Sequence, residues 1–160
     1  MPQLTTHVLD TTNGLPAPNV PITLLSYPTS SPNTTIPLAF ALTNADGRVT
    51  NWYKPHYAHL FSSNSPTAAG AAPRNVTFRD EDVVDVKVEN GRIYALRFDT
   101  RSYYERTRPY AAEGGEQKGM AAFFPWVEVV FEIDDEGGRR GHWHVPVLLG
   151  RYGFQTYRGS

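Results

Sequence analysis

The chain has 160 residues, a length typical of a single domain with one hydrophobic core. Fifteen Lys and Arg residues balance sixteen Asp and Glu residues, so the composition offers no basic field for nucleic acid and no acidic tail. The absence of cysteine excludes a disulfide framework, a thiolate nucleophile and a thiolate metal ligand. No apolar run approaches the ~20 residues of a membrane span, and neither a secretory signal nor a Ser-Lys-Leu peroxisomal address is visible.

Strands and turns dominate the first third of the chain. Residues 4–10 are β-branched and alternating, which predicts a first strand, and residues 20–26 and 38–43 predict two more. The segment Asn44–Gly47 has the composition of a tight turn that leads directly into Arg48. Thirteen Pro and thirteen Gly residues, with nine Tyr, eight Phe and three Trp, also favour short strands over helices.

Two stretches interrupt this rhythm. Residues 51–82 contain a run of Ser, Ala, Gly, Pro and Asn that cannot bury enough apolar surface to order itself. A structureless loop longer than ~15 residues usually marks an insertion, and residues 107–122, with three glycines, form a second candidate. The sequence therefore predicts one domain over residues 1–160 with two loop insertions.

The region between the two insertions predicts a hairpin and a helix. Residues 83–89 and 92–98 alternate on either side of Asn90-Gly91, the strongest short-range hairpin signal, since both turn positions favour positive φ. Residues 99–106 predict one short helix that begins with Asp99 or Thr100 as its cap.

The last third of the chain predicts the remaining strands. Residues 123–133 form the plainest alternating run, with positions 127, 129, 131 and 133 sharing one face. Residues 142–149 are typical of a buried strand, and residues 154–157 begin a β-prone return after a glycine turn. About eight short strands with at most one helix predict an all-β protein built as an antiparallel sandwich.

Two histidines on one strand face are the most unusual polar feature. His142 and His144 are two residues apart, so they point the same way on a strand. Such a pair can bind zinc or act in acid–base chemistry, and a metal would need a third ligand from His7, His56 or His59. Spacing alone leaves both alternatives open. By itself, His7 is typical of a half-buried strand residue with one satisfied nitrogen.

Other charged positions have ordinary interpretations when taken alone. Arg48 follows a tight turn, where a solvated arginine is common, and Glu105 and Arg106 are typical of exposed helix charges. The ending Tyr157–Ser160 lies at a terminus, where chains commonly fray, yet it follows a β-prone run directly.

Separated motifs resemble those of the transthyretin-related 5-hydroxyisourate hydrolase family, in the family's order. The opening motif consists of residues 4–11 with Gly14, Pro16 and Ala17. The closing motif consists of residues 142–149, Tyr152-Gly153 and Tyr157–Ser160. Between them lie Thr43–Arg48, Tyr94–Thr100, Tyr103-Tyr104 and Phe124-Pro125. The terminal Tyr-Arg-Gly-Ser is a feature of the enzymes that the hormone-carrying transthyretins lack.

The resemblance implies a fold, an assembly and a site. The expected fold is a transthyretin-like sandwich of two four-stranded antiparallel sheets with one short helix. The expected assembly is a homotetramer, a dimer of dimers, with metal-free and cofactor-free sites at the dimer–dimer interface, in the cytoplasm or the peroxisome. The implied catalytic residues are His7, Arg48, His144 and Tyr157, with substrate also bound by Ser160 and with support from His142 and Arg158.

The resemblance also implies an activity that suits these residues. The family opens the six-membered ring of 5-hydroxyisourate, the product of urate oxidase, and yields 2-oxo-4-hydroxy-4-carboxy-5-ureidoimidazoline on the way to allantoin. The His7/His144 pair would take a proton from water, since imidazole titrates near neutrality, and Arg48 would face the carbonyl oxygens. The alternative is a transthyretin-like tetramer that binds small aromatic ligands without turnover.

Overall fold

The structure is a computed structural model that describes residues 3–61, 76–107, 109–111, 117–119, 122–134 and 141–160. The strands in these residues are β1 Leu4–Thr5, β2 Val8–Asp10, β3 Leu15–Pro16, β4 Pro21–Tyr27, β5 Ile36–Leu42, β6 Trp52–Tyr53, β7 Val83–Val84, β8 Ile93–Phe98, β9 Pro109–Ala111, β10 Gln117–Gly119, β11 Val127–Glu132, β12 Trp143–His144, β13 Val147–Leu149 and β14 Phe154–Thr156. The helices are α1 Ala58–Phe61 and α2 Thr100–Thr107, and 3₁₀ turns cover Pro55–Tyr57 and Asp80–Asp82. No helix in these ranges is long and apolar enough to cross a membrane.

Two main sheets enclose the core, which confirms the predicted all-β sandwich. The larger sheet has six antiparallel strands in the order β11-β8-β4-β5-β6-β7, and the smaller has four in the order β14-β13-β2-β3. The core between them contains fully buried side chains from both sheets, among them Leu24, Phe98, Val8 and Leu149. The inward face of the plainest strand is as predicted, since Val127 and Val129 are buried.

The larger sheet exceeds the expected four strands because β6, at the start of the predicted insertion at 51–82, and β7, which directly follows the insertion, pair with it. Trp52 in β6 is buried, and its indole Nε1 donates a hydrogen bond to the Leu4 carbonyl oxygen at 3.0 Å. Tyr53 stacks on Phe78 with ring centroids 4.2 Å apart, on the outer side of the sheet. These large aromatic surfaces favour burial, so part of residues 51–82 belongs to the sandwich. Residues 62–75 lie outside the described residues, as do residues 108, 112–116, 120 and 121 of the predicted insertion at 107–122.

The smaller sheet also departs from an all-antiparallel arrangement. Strand β2 pairs with β13 in parallel, with Val8 opposite Val147. The short strands β1 and β12, which precede them along the chain, form a separate two-stranded parallel sheet with Thr5 opposite His144. Parallel neighbours require a long crossover connection, and here the crossover is nearly the whole chain. The two ends of the sequence therefore meet in one sheet.

The predicted hairpin around Asn90-Gly91 is wrong, although its turn forms. Gly91 has φ 70°, and the Arg92 N–H donates to the Glu89 carbonyl oxygen at 3.3 Å. Strand β8, which follows the turn, is already paired with β4 on one side and β11 on the other. No edge of β8 is left for residues 83–89, and β7 pairs with β6 instead.

Helix α2 follows the predicted pattern. The Asp99 carboxylate oxygen accepts a hydrogen bond from the Ser102 N–H at 3.0 Å, as an N-cap residue should. Arg106 differs from the solvated charge expected, because its guanidinium donates to the Asn19 carbonyl oxygen. This hydrogen bond connects helix α2 to the loop before β4.

Gly47 is the turn residue that places Arg48, and its substitution tests the packing of that turn. Gly47 has φ 69°, and a Cβ added there would collide with the Val8 carbonyl oxygen. Gly91 has nearly the same φ but open space around the equivalent Cβ, so it is a matched control. We expect Gly91→Ala to lower the free energy of unfolding by roughly 1 kcal/mol and Gly47→Ala by roughly 3 kcal/mol.

Urea unfolding of both variants at one protein concentration measures this difference. Equal losses for Gly47→Ala and Gly91→Ala would contradict the collision at Val8 and leave only the cost of positive φ.

Candidate active site

The pairing of the chain ends places four polar side chains on the outer face of the smaller sheet. Residues two apart on a strand share a face, so Thr5 and His7 point outward while Leu4 and Thr6 are buried. The parallel register sets Thr5 beside His144. His142 and His144 do share a face, as predicted, because both approach the hydroxyl of Thr5.

His7 and His144 form a direct pair. The distance from His7 Nδ1 to His144 Nε2 is 2.8 Å, and the ring centroids lie 4.9 Å apart. One nitrogen of this contact donates a proton and the other accepts it, so each histidine fixes the tautomer of the other. The structure thus brings together two imidazoles that are 137 positions apart in sequence.

Arg48 lies directly beside this pair. A single antiparallel bridge joins His7 and Arg48, and residues directly opposite on paired strands have neighbouring side chains on one face. The Asn44 side chain holds the turn, since its Oδ1 accepts hydrogen bonds from the N–H groups of Asp46 at 3.0 Å and Arg48 at 2.9 Å. Arg48 is exposed, and its guanidinium has no carboxylate partner among the described residues.

The end of the chain is ordered by its backbone. Gly159 pairs with His144 across an antiparallel bridge, and its N–H donates to the His144 carbonyl oxygen at 2.8 Å. A Cβ on Gly159 would lie 2.5 Å from His144 Cδ2, so only glycine fits against this imidazole. The anchor in the structure is therefore Gly159, while Arg158 and Ser160 on either side of it are exposed.

Tyr157 lies on the same outer face as His7. Thr156 pairs with Val147 and Gly159 with His144 in one register, which puts Tyr157 opposite Pro146. Pro146 in turn lies beside His7 in the parallel register, so two strand spacings, roughly 10 Å, separate the backbones of Tyr157 and His7. Arg48 and Tyr157 therefore flank the histidines from opposite sides. Tyr157 also lines a groove of about 230 Å³ together with His144.

Both paired imidazoles favour their neutral form. Burial lowers the pKa of His7 below its usual 6.5, and the neighbouring charge of Arg48 lowers it further. Burial is likewise the largest cause of the lowered pKa of His144, followed by His7, Arg48 and His142, while the contact with Thr5 opposes the shift. A neutral pair can accept a proton from water near pH 7. The charge of Arg48 is available beside it for an oxygen that becomes negative.

The other candidate histidines lie elsewhere. His56 stacks on Tyr57 with centroids 4.4 Å apart, and His59 lines a cleft of about 520 Å³ on the outer face of the larger sheet. Neither is near the His7–His144 pair. Within the described ranges, no three His, Cys, Asp or Glu side chains are grouped so that they could hold a metal ion. None of the predicted site residues lines the larger cleft.

Sequence reasoning missed Thr5 and Gly159. Thr5 was an ordinary β-branched residue in the first strand, and the available signal was its i, i+2 spacing to His7. Gly159 was part of the terminal motif, but its close approach to an imidazole depends on a register that no local pattern encodes.

Known proteins resemble this chain over nearly its full length. The model of the HIUase/Transthyretin family matches residues 4–159. The probable 5-hydroxyisourate hydrolase of Schizosaccharomyces pombe is 30% identical over 159 residues, covering 99% of this chain and 92% of the relative. The 5-hydroxyisourate hydrolase of Mus musculus is 31% identical over 159 residues, covering 98% of this chain and 94% of the relative.

A solved structure agrees in fold. The 5-hydroxyisourate hydrolase of Klebsiella pneumoniae has a TM-score of 0.54 and 24% identity, and the match covers 98% of each chain. At that identity the likeness establishes the fold alone, and the family follows from the full-length sequence matches. The motifs at both ends of the chain, the sandwich and the sequence matches agree: the chain belongs to the HIUase/transthyretin family.

Proposed function

We propose that this protein hydrolyses 5-hydroxyisourate, a step of urate degradation. The observation that carries the proposal is the 2.8 Å contact between His7 and His144 with Arg48 on the adjacent strand. The relatives named 5-hydroxyisourate hydrolase in yeast and mouse support the same substrate. A neutral imidazole pair beside a guanidinium that has no carboxylate partner in the described part of the chain suits the attack of water on a carbonyl carbon.

The reaction needs a base, an oxyanion site and an acid. The His7–His144 pair takes a proton from water as the water oxygen bonds to the lactam carbonyl carbon. Arg48 faces the carbonyl oxygen as it becomes negative. The carbon–nitrogen bond of the ring then breaks, and the leaving nitrogen receives the proton from the imidazolium. The product is 2-oxo-4-hydroxy-4-carboxy-5-ureidoimidazoline.

The residues near the chain end would bind and orient the substrate. Tyr157 flanks the histidines and is 53% exposed, so its hydroxyl is available to a ligand on this face. Ser160 would supply a further hydroxyl, while Arg158 and His142 would support the terminus and the His144 ring. Each of these roles is part of the proposal.

The outer face of the smaller sheet is also where a second copy would pack. Leu9 and Leu148 are register neighbours on this face, and both are only partly buried in one chain. We therefore include in the proposal a homotetramer, a dimer of dimers, with sites at the dimer–dimer interface. Light scattering on the sample used for activity distinguishes a chain of 17.9 kDa from an assembly of four times that mass.

Freshly generated 5-hydroxyisourate provides the direct test. We expect pure protein to accelerate the decay of its ultraviolet absorbance well beyond the spontaneous rate. A titration with small aromatic ligands runs beside the activity assay. Saturable binding with no acceleration would favour the alternative, a transthyretin-like carrier without turnover, and would reject the hydrolase.

Two substitutions test the base and the oxyanion site. We expect His144→Ala and Arg48→Ala each to lower kcat/KM by on the order of 10²-fold or more, as loss of a base or an electrostatic group should. His59→Ala and Arg92→Ala are the matched controls, because they remove a histidine and an arginine that lie away from the site. Both should leave activity nearly unchanged. Wild-type kinetics in either site variant, with the fold intact by circular dichroism, would remove that residue from the mechanism.

The pH profile tests the protonation state of the pair. Because the pKa values of His7 and His144 are lowered, the neutral base persists from pH 8 down to below 6.5, and kcat/KM should fall only at more acidic pH. Arg48→Gln removes a charge that lowers both pKa values, so its residual activity should begin to fall at higher pH. A fall in kcat/KM of the wild-type protein that begins above pH 6.5 would contradict the lowered pKa values of the pair.

A further inference from the structure

The hydroxyl of Thr5 joins two histidines. Its oxygen lies 2.8 Å from His144 Nδ1 and 3.1 Å from His142 Nε2. A hydroxyl has one proton to donate and lone pairs with which to accept. If Thr5 donates to one imidazole, the other imidazole must donate to Thr5. The Trp143 carbonyl oxygen is a further acceptor for this hydroxyl, but it is more distant, at 3.5 Å. With the Thr5 proton on one of the two nearer imidazoles, the two contacts are directional and depend on each other.

These contacts extend the His7–His144 pair into a continuous chain of four groups. His144 Nε2 is 2.8 Å from His7 Nδ1, so His144 uses both ring nitrogens inside the chain. One proton occupies each of the three contacts, and reversing one contact requires reversing the others. The hydrogen bonds of this chain can all point one way or all point the other way. In one direction Nε2 of His7 is free to accept a proton, and in the other direction it is protonated.

We propose that Thr5 is a positioning residue that relays a proton between His144 and His142 during turnover. This inference rests on the proposed hydrolase function. When His7 Nε2 takes a proton from water, His7 Nδ1 gives its proton to His144 Nε2, and His144 Nδ1 gives its proton to the Thr5 oxygen. Thr5 then gives its own proton to His142 Nε2. His142 becomes the imidazolium and the other three groups stay neutral. When the ring bond breaks, the same transfers run in reverse, and His7 Nε2 gives the proton to the leaving nitrogen.

The charges around the chain favour this direction. Arg48 is bridged directly to His7, so an imidazolium at His7 would lie beside a fixed positive charge, whereas His142 is the last member of the chain from that point. The titratable or charged groups that influence His144 are His7, Arg48 and His142. No carboxylate among the described residues pairs with any of them. Passing the proton from His7 to His142 therefore moves the imidazolium charge away from the guanidinium charge of Arg48.

The fold holds Thr5 at this point firmly. Thr5 is opposite His144 in the β1–β12 register, and the Val145 N–H donates to its carbonyl oxygen at 3.0 Å. The buried Trp52 fixes the neighbouring Leu4 carbonyl oxygen. A valine has nearly the shape of threonine and suits a strand, so the hydroxyl can be removed with little change in packing.

Thr5→Val and Thr5→Ser separate the hydroxyl from the methyl group. We expect Thr5→Val to lower kcat by roughly 10- to 100-fold with KM within about twofold, by analogy with the loss of a hydrogen-bond partner from a metal-ligating histidine. Thr5→Ser keeps the hydroxyl and should retain kcat within about threefold. His142→Gln should resemble Thr5→Val, and the double variant should be no worse than either single variant, since both interrupt one chain. Wild-type kcat in folded Thr5→Val, or additive losses in the double variant, would overturn the relay.

Nitrogen chemical shifts of the imidazoles give a readout that does not need turnover. In wild-type protein we expect His142 Nε2 and His144 Nδ1 to have the shifts of hydrogen-bonded nitrogens, and Thr5→Val to remove this signature from both while His7 Nδ1 and His144 Nε2 stay hydrogen-bonded to each other. Unchanged nitrogen shifts of His142 in Thr5→Val would reject the relay even if the enzyme is active. Hydrogen-bonded shifts in a protein that does not accelerate 5-hydroxyisourate decay would reject the hydrolase and keep the hydrogen-bonded chain.

Discussion

The parallel pairing of the first and last strands is the constraint on which the site depends. The Val147 N–H donates to the His7 carbonyl oxygen at 2.9 Å, and the Val145 N–H donates to the Thr5 carbonyl oxygen at 3.0 Å. These backbone contacts close a loop of nearly the whole chain, so they carry a large entropic cost and depend on the rest of the sandwich. The chemistry is thus assembled only when the fold is complete.

The electrostatics of the site follow from the partners of the histidines, which include no carboxylate among the described residues. In many acid–base sites a carboxylate orients the imidazole and raises its pKa, whereas here the orienting partners of His144 are another imidazole and a hydroxyl. Partial burial and the charge of Arg48 both lower the pKa values, so both imidazoles favour the neutral form. A second copy packed on this face would increase desolvation and push the pKa values in the same direction.

Patterns within a few residues predicted the helix, the turns and the strands better than they predicted which strands pair with each other. The cap at Asp99, the turn at Asn44–Gly47 and the inward face of β11 follow from patterns within a few residues, and all three are present. The Asn90-Gly91 turn also forms, yet the hairpin does not, since β8 finds better partners in strands distant in sequence. A strand can pair with any strand edge of suitable pattern, including those of strands distant in sequence. A short stretch of sequence contains no information on these alternative partners.

The same limit explains what was predictable about the site. The histidines and Arg48 were identified through motifs, while the contact of Thr5 with two imidazoles depends on a parallel register that sets position 5 beside position 144. A one-residue slip would turn Thr6 outward and bury the hydroxyl of Thr5, although the composition of both strands would be unchanged. Thr6 in the actual register is buried and donates to the Val145 carbonyl oxygen at 2.6 Å. Two adjacent threonines thus have different roles, one holding the strands together and one facing the histidines, and only the register assigns them.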